Sequence, residues 1–222
     1  MTNTLKKNIS KQKGFSLPEL IIVIGIFVII STVAMFNQGK LSSSVLLTNM
    51  AYEVGLAIRE AQTYGIGVRS EDAGANFTGQ YGAYFDTSSE TSNRQVIVFA
   101  DLDQSLSYTQ GATPPEEKYI YEFENRRGNK ITAMCVGDLG GAACENGGVN
   151  SENPLSILFK RPNPSALISP DVANGGVDVR LERVYVVVSS LEGDDCRAVI
   201  VEPTGQIRVE DSTKGACVKT AL

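Results

Sequence analysis

KGFSLPELIIVIGIFVII, residues 13–30, begins a run in which Glu19 is the one charged residue between Gly14 and Phe36. As an α-helix with a rise of about 1.5 Å per residue, Phe15 to Phe36 would extend roughly 33 Å. The hydrocarbon core of a bilayer is about 30 Å thick. The run therefore predicts one membrane-spanning helix over residues 15–36.

Positive charge precedes the apolar run. All four charges before Gly14 are lysines: Lys6, Lys7, Lys11 and Lys13. Because basic residues stay on the cytoplasmic side, this asymmetry predicts a cytoplasmic N-terminus and places the bulk of the chain outside. A secretory signal fits poorly, since its apolar region spans about 7 to 15 residues and ends at a small-residue cleavage site. A plain, uncleaved signal anchor stays open as the alternative.

Pro18 and Glu19 lie at the start of this segment, and a plain signal anchor requires neither residue. A helix that continued upstream through Lys13 would lose about 3 kcal/mol at Pro18, because proline lacks an N–H and clashes with the preceding turn. If the chain is cut after Gly14, Pro18 falls among the first four residues, whose N–H groups have no helical partner. A carboxylate in an apolar zone needs a partner, and a new α-amino group on a neighbouring copy would provide one for Glu19.

These residues resemble the class III leader of type IV pilins and pseudopilins. The matching features are Lys13-Gly14, then Phe15, a small polar residue, Leu17, a glutamate at the fifth position after the glycine, and a long apolar run. The resemblance implies that a prepilin peptidase cuts between Gly14 and Phe15 and methylates the new N-terminal Phe15. It also implies that Glu19 neutralises the terminal amine of an adjacent subunit during assembly.

A second helical pattern follows, with small and apolar residues at three- and four-residue spacing on one face. Its members are Leu47, Met50, Ala51, Val54, Ala57, Ile58 and Ala61. They cover an arc near 120° at about 100° per residue, which predicts a helix face buried under the sheet of a globular head. Leu56 lies on the polar side of this helix and does not fit the two-faced pattern.

The leader, the apolar run and the amphipathic pattern together divide the chain into four parts. We predict residues 1–14 as leader, 15–36 as transmembrane and assembly helix, 37–69 as its amphipathic half and 70–222 as head.

The head contains runs of apolar and β-branched residues separated by turn-forming residues. The predicted strands lie within residues 95–101, 118–123, 130–136, 155–160, 177–189, 196–202 and 206–210, and a stretch such as RPNPS at 161–165 is predicted as a turn. Strands without intervening helices favour an antiparallel arrangement. The predicted fold class is α+β and pilin-like, with a long N-terminal helix packed on an antiparallel β-sheet head.

The order of the head segments resembles the H-type minor pseudopilins of type II secretion and the related FimT-type minor pilins, the GspH/FimT group. The matching pieces are LAIREAQTYGIGVRS at the end of the long helix, VIVFADLD, KITAMCV, SILFKRPN and RAVIVEPTGQIRV. In DNA-uptake members of this group a Gly-Arg-x-Arg motif near the C-terminus contacts DNA. The corresponding residues here are Gly205-Gln206-Ile207-Arg208, which lack the first arginine. A single Arg208 in an acidic head does not provide the several phosphate contacts that DNA binding needs, so we expect no nucleic-acid partner.

Four cysteines fall in the head: Cys135, Cys144, Cys196 and Cys217. Outside the cytoplasm disulfide bonds persist, and four cysteines allow three pairings. Local pairing, Cys135 with Cys144 and Cys196 with Cys217, is the preferred prediction. A zinc site is the rival, which the long spacings and the lack of histidine disfavour.

Composition argues against catalysis. The chain has no histidine and no tryptophan, and its net charge is −5. Histidine-dependent triads and histidine metal sites are therefore excluded, and the commonest general base is missing. We predict no enzyme, no catalytic residue and no cofactor. Calcium is the one ion considered, at Asp101 with Asp103 or at Asp194 with Asp195, because carboxylate oxygens are its ligands.

These observations predict a structural minor pilin or pseudopilin subunit. It would be processed by prepilin peptidase, anchored in the bacterial inner membrane by a single pass, and assembled with other pilin subunits into a type IV pilus or type II secretion pseudopilus, at or near the tip. Two alternatives stay open: a DNA-binding minor pilin for DNA uptake, and a signal-anchored extracytoplasmic enzyme or ligand-binding module.

Overall fold

A computed structural model describes residues 14–67, 79–123, 128–136, 154–170, 183–191 and 195–211. The chain divides into two compact units, with the boundary between Ser42 and Ser43. Within these described ranges, one long helix, α1 (Leu17–Ile66, 50 residues), is followed by nine strands. The observed class is the predicted one, an apolar N-terminal helix followed by an antiparallel α+β head of pilin-like type.

The first unit holds the start of α1. The helix begins at Leu17, so Pro18 is its second residue and lies in the first turn. Helical N–H groups in the first turn have no intrahelical acceptor, so the proline removes no hydrogen bond there. Pro18 is thus among the first four helical residues of the full chain, and the cleavage after Gly14 on which the expectation rested stays a prediction.

The second unit contains two antiparallel sheets. The strands are β1 (Gln80–Phe85), β2 (Gln95–Ala100), β3 (Glu117–Glu122), β4 (Lys130–Val136), β5 (Leu155–Lys160), β6 (Asn163–Pro170), β7 (Val184–Ser189), β8 (Cys196–Val201) and β9 (Ile207–Asp211). Sheet A has the order β3-β2-β1-β5-β6, and sheet B has the order β4-β7-β8-β9. Among the described residues, each predicted strand segment overlaps an observed strand, although β3 begins one residue earlier and β9 ends one residue later than predicted.

The second part of α1 packs against both sheets. All seven residues of the predicted apolar face, Leu47 to Ala61, are fully buried and belong to the main core. Gly65 approaches the backbone of Phe159 in β5, and Gly55 faces Val199 and Val209 in sheet B. The helix therefore closes the core of the head, as its periodicity predicted.

Two strands were missing from the sequence prediction. β1 contains Gly82, and the ring of its cross-strand partner Phe99 covers the space that a side chain would fill. Glycine weakens a strand signal, although a facing aromatic ring compensates in the folded sheet. β6 contains Pro164 within the predicted turn at 161–165. That part of the prediction is wrong beyond Pro162, because β6 is an edge strand, where proline is tolerated.

Candidate functional site

The first turn of α1 carries the residues that the leader resemblance singles out. Phe15 and Glu19 are exposed, and the Ser16 hydroxyl donates a long hydrogen bond of 3.5 Å to Glu19 Oε2. The N–H of Leu20 donates to the Ser16 carbonyl at 3.2 Å. A carboxylate in the first turn is favoured by the positive end of the helix dipole. Within the described parts of the chain, Ser16 is the one hydrogen-bond donor to Glu19.

The helix beyond Glu19 is apolar on every side. Leu17–Met35 is long and apolar enough to cross a membrane, and none of this span is buried within the chain. Its polar Thr32 is satisfied internally, because Thr32 Oγ1 donates to the Val28 carbonyl at 2.8 Å. A helix that is apolar all round requires lipid or other protein around it. The span supports membrane anchoring.

The second part of α1 also exposes apolar side chains, on the face opposite the core. Val45, Tyr52 and Leu56 have exposed fractions of 53%, 61% and 61%. The spacing of seven and four residues places the three on one side of the helix. Leu56, which did not fit the amphipathic pattern, is therefore part of an exposed apolar stripe rather than an isolated exception.

The two aspartates considered for calcium come together with a third carboxylate. Asp101, Asp103 and Glu116 each offer an oxygen within 4.8 Å of the others. Asp101 and Glu116 are almost completely buried. Glu116 was not predicted, since it lies 15 residues from Asp101 in sequence and joins it only because β2 pairs with β3. The residue types suit calcium, but carboxylates clustered in a loop are common without a cation.

Backbone N–H groups already satisfy this cluster. Asp101 accepts from Ser105 at 3.0 Å and from Leu106 at 3.2 Å, and Glu116 accepts from Thr109 at 2.8 Å. Burial raises the pKa of Asp101 to about 6, and it also raises the pKa of Glu116. These hydrogen bonds tie Asp101 and Glu116 to the loop between β2 and β3. Of the other pair, Asp194 lies outside the described residues and Asp195 is exposed.

Arg208, the residue with a conceivable DNA contact, lies in β9 and is surrounded by acids. Its guanidinium contacts Glu202 Oε1 at 2.5 Å and Glu210 Oε1 at 2.6 Å. Glu202 also accepts from Arg183 Nε at 2.8 Å. Two carboxylates on one arginine leave no excess positive charge for a phosphate, which counts against DNA binding at this position.

Cys135 and Cys196 lie in sheet B, and both are disulfide-bonded. Cys144 and Cys217 lie outside the described residues, so the predicted pairing stays a prediction. The leader cleavage site between Gly14 and Phe15 and the methylation of Phe15 stay predictions as well.

Comparison with known proteins identifies one match. Residues 9–35 match the family model described as the prokaryotic N-terminal methylation motif. No curated protein and no solved structure matches the chain. The matched residues comprise the end of the leader and the apolar segment, and they include no residue of the head. The motif supports a type IV pilin-like leader processed by prepilin peptidase, and a membrane-anchored pilin or pseudopilin that assembles with other pilin subunits.

Proposed function

We propose that this chain is a minor pilin or pseudopilin of the GspH/FimT type, a structural subunit placed at or near the tip of a filament. The observation that carries the proposal is the exposed apolar helix Leu17–Met35, which lies within the matched methylation motif and has Glu19 in its first turn. Such a helix is stable in a membrane before assembly and among neighbouring helices afterwards. The function is one of interaction and involves no catalysis.

Processing comes first in the proposed sequence of events. With the N-terminus in the cytoplasm and the head outside, prepilin peptidase cleaves after Gly14 and methylates Phe15. Cleavage frees an α-amino group at the start of the helix. Because Pro18 already sits in the first turn, the shortened chain keeps the same helix start without losing a hydrogen bond.

Glu19 then provides the electrostatic part of assembly. The bond from Ser16 is 3.5 Å long, so it holds the carboxylate only loosely and leaves it available to a stronger partner. The amine of a neighbouring subunit is of opposite charge, and pairing the two removes the cost of an isolated carboxylate among apolar helices. This pairing would fix the axial position of one subunit against the next.

N-terminal analysis tests the processing step. The full chain is expressed in cells with and without an active prepilin peptidase, and the purified protein is examined by mass spectrometry. We expect a chain that begins with methylated Phe15 only when the peptidase is active, and a Gly14→Val variant that keeps its leader. An intact Met1 in the presence of the peptidase would favour a signal-anchored enzyme or binding module instead.

Filament incorporation tests the role of Glu19. We expect Glu19→Val to reduce the amount of the protein in sheared filaments or in crosslinks to other pilin subunits. Ser16→Ala is the matched control, because it removes the contact of Glu19 within the chain and leaves the carboxylate in place. Incorporation of Glu19→Val at the level of the unaltered protein would contradict the proposal.

A DNA-uptake role is separable by a mobility-shift measurement on duplex DNA at low salt. The ion pairs of Arg208 with Glu202 and Glu210 lead us to expect no shift. A shift that disappears in Arg208→Ala would replace the structural role with DNA binding.

A further inference from the structure

A carboxyl group, a carboxamide and an amine lie in one row across three neighbouring strands of sheet A. Gln80, the first residue of β1, pairs with Lys160, the last residue of β5. On its other side Gln80 is opposite Asp101, whose N–H donates to the Gln80 carbonyl at 3.1 Å. This position continues the register of β1 with β2, in which Tyr81 pairs with Ala100. Residues directly opposite each other share one face of a sheet, so the three side chains meet.

The side-chain amide of Gln80 contacts both neighbours. In the amide orientation that satisfies both, Gln80 Nε2 donates to Asp101 Oδ2 at 3.3 Å, and Gln80 Oε1 accepts from Lys160 Nζ at 3.2 Å. Because a C=O bond is about 1.2 Å long, Lys160 Nζ lies within about 4.4 Å of Gln80 Cδ. A nucleophile reacts from about 3–3.5 Å. A small rotation of the exposed Lys160 side chain is therefore enough to bring the two atoms together.

The amide and the acid are both shielded from water. Gln80 is 5% exposed and Asp101 is 0% exposed. The next row on the same face contains Phe99 and Leu158 on either side of Gly82, and both side chains are fully buried. Burial raises the pKa of Asp101 to about 6, so this carboxyl group keeps its proton in a range where exposed carboxylates have lost theirs. A protonated acid thus lies next to the nitrogen of a buried amide.

We propose that Lys160 and Gln80 become joined by an isopeptide bond, formed once in the folded head, with Asp101 as the proton donor. The neutral Nζ of Lys160 attacks Cδ of Gln80, so that a C–N bond forms and the bond from Cδ to Nε2 breaks. Asp101 donates a proton to the leaving nitrogen, and the proton that Nζ loses restores the acid through water. The products are one secondary amide and one molecule of ammonia, so the step requires no oxidant and no cofactor.

The fold provides the conditions that this reaction needs. An amine and an amide that are free in solution rarely meet in a reactive geometry, whereas a fixed pair has an effective molarity of about 10⁵–10⁸ M. Because the amide is buried, hydrolysis by water does not compete. Release of ammonia makes the step irreversible, so a single slow turnover is sufficient. The product ties β1 to β5 in the interior of sheet A, whose order is β3-β2-β1-β5-β6.

The mass of the intact full chain tests the bond. After reduction of disulfide bonds, and with cleavage and methylation taken into account, we expect the protein to be lighter than its calculated mass by about 17 Da, the mass of ammonia. Lys160→Arg is the matched control, because arginine keeps the positive charge and the hydrogen-bond donors but lacks the nucleophilic amine. This variant should have its calculated mass. The calculated mass in both proteins would overturn the proposal.

Tryptic digestion of the reduced protein locates the bond. Trypsin does not cut at an acylated lysine or between Arg161 and Pro162, so the bond yields one branched species that joins residues 70–94 to residues 131–180. Without the bond, residues 70–94 and residues 131–160 are separate peptides. Recovery of these two peptides as the main products would overturn the proposal.

Two carboxylate variants test the role of Asp101. We expect Asp101→Asn to form the branched species at least about tenfold more slowly, because asparagine has no acidic proton. Asp103→Asn is the matched control, since it removes a carboxylate beside Asp101 but outside the row, and it should keep the rate of the unaltered protein. An unchanged rate in Asp101→Asn would overturn its assignment as the proton donor.

Thermal unfolding provides a second measurement. A covalent link between distant positions restricts the unfolded chain, so we expect Lys160→Arg to have a Tm lower by at least about 5 °C. A Tm equal to that of the unaltered protein would contradict a link between β1 and β5. These outcomes are independent of the pilin role, because all three residues lie in the head and the bond can form with or without removal of the leader.

Discussion

Gln62 in α1 donates a hydrogen bond of 2.7 Å from Nε2 to the backbone carbonyl of Gly205, although the two residues are 143 positions apart. The same nitrogen lies 3.3 Å from the carbonyl of Pro164 in β6. One amide near the end of the helix therefore links the turn between β8 and β9 in sheet B to the edge strand of sheet A. The contact secures the place where the helix and both sheets meet.

Gly205→Ala should destabilise the head strongly. Gly205 has a φ of +84°, and a Cβ there would lie 1.9 Å from the Pro164 carbonyl oxygen and 2.7 Å from Gln62 Nε2. Strain and collision together should lower the free energy of unfolding by about 3 kcal/mol. Gly111→Ala is the matched control, because Gly111 has a φ of +76° and open space around it. Urea unfolding monitored by circular dichroism measures the stability of both variants. Equal losses of unfolding free energy would contradict the role of the contact between Gln62 and Gly205.

Alanine at two glycines of α1 should have opposite effects. A Cβ on Gly55 would make ordinary contacts at 3.7 Å, whereas a Cβ on Gly65 would lie 2.5 Å from the Phe159 carbonyl oxygen. Alanine is favoured over glycine inside a helix by about 1 kcal/mol. We therefore expect Gly55→Ala to raise the Tm and Gly65→Ala to lower it. A rise in both variants would mean that the helix does not pack against β5 as closely as described.

Asp101 should make the head less stable as the pH rises from about 4 to about 6. Burial raises its pKa from 3.8 to about 6, so in this window the folded protein holds a proton that the unfolded chain has released. The stabilisation from Asp101 is fully present below the pKa that it has in the unfolded chain, and it is lost above the pKa that it has in the folded protein. Glu116 shifts in the same direction. For Asp103, burial raises the pKa, but hydrogen bonds from Ser105 outweigh this effect and lower the pKa overall. Asp103 therefore stabilises the fold at higher pH, and this stabilisation is lost as the pH falls through its lowered pKa.

The measurement is urea unfolding between pH 4 and pH 7 for the unaltered protein and for Asp101→Asn. We expect the variant to lose much of the decline across this window, because asparagine does not titrate. Parallel curves for the two proteins would show that Asp101 is not the group responsible.

Calcium should leave the thermal stability of the head unchanged. The oxygens of Asp101 and Glu116 already accept backbone hydrogen bonds from Leu102, Ser105, Leu106 and Thr109, so the loop is held in place before any cation binds and a cation would compete with these donors for the carboxylate charge. The test compares the Tm of EDTA-treated protein before and after addition of calcium. A rise that is absent in Asp103→Asn would establish a site that we do not expect.

Leu56→Asp should reduce filament incorporation about tenfold while the head stays folded. Burying a leucine contributes about 1.5–3 kcal/mol, and Leu56 can be buried only by another molecule, since it is exposed in the single chain. Thr63→Asp places the same charge on the same exposed side of α1, two turns later, and is the control. Equal incorporation of the two variants would indicate that the exposed apolar stripe is not a contact between subunits.

Periodicity was sufficient for the buried face of α1, because every residue from Leu47 to Ala61 at the predicted spacing is fully buried. It was insufficient for β1 and β6, where the stabilising features lie in other strands. Phe99 covers Gly82 from β2, and the outer position of β6 in sheet A allows Pro164. A local pattern contains no information about which strand will be its neighbour.

The residues of the candidate site also differ in whether a local sequence pattern is enough to predict them. The leader, the apolar segment and Glu19 were evident from the sequence, since cleavage motif and hydrophobic length are properties of consecutive residues. Glu116 beside Asp101, the neutralisation of Arg208 by Glu202 and Glu210, and the common face of Cys135 and Cys196 required the fold.

The sequence by itself determined the membrane segment and the buried stripe that follows, because both depend on short-range spacing and on transfer from water. Only the tertiary structure decided the division into two sheets, the burial of Asp101 and the link from Gln62 to Gly205. These depend on strand pairing between segments far apart in the chain, and that pairing is set by the packing of the whole core.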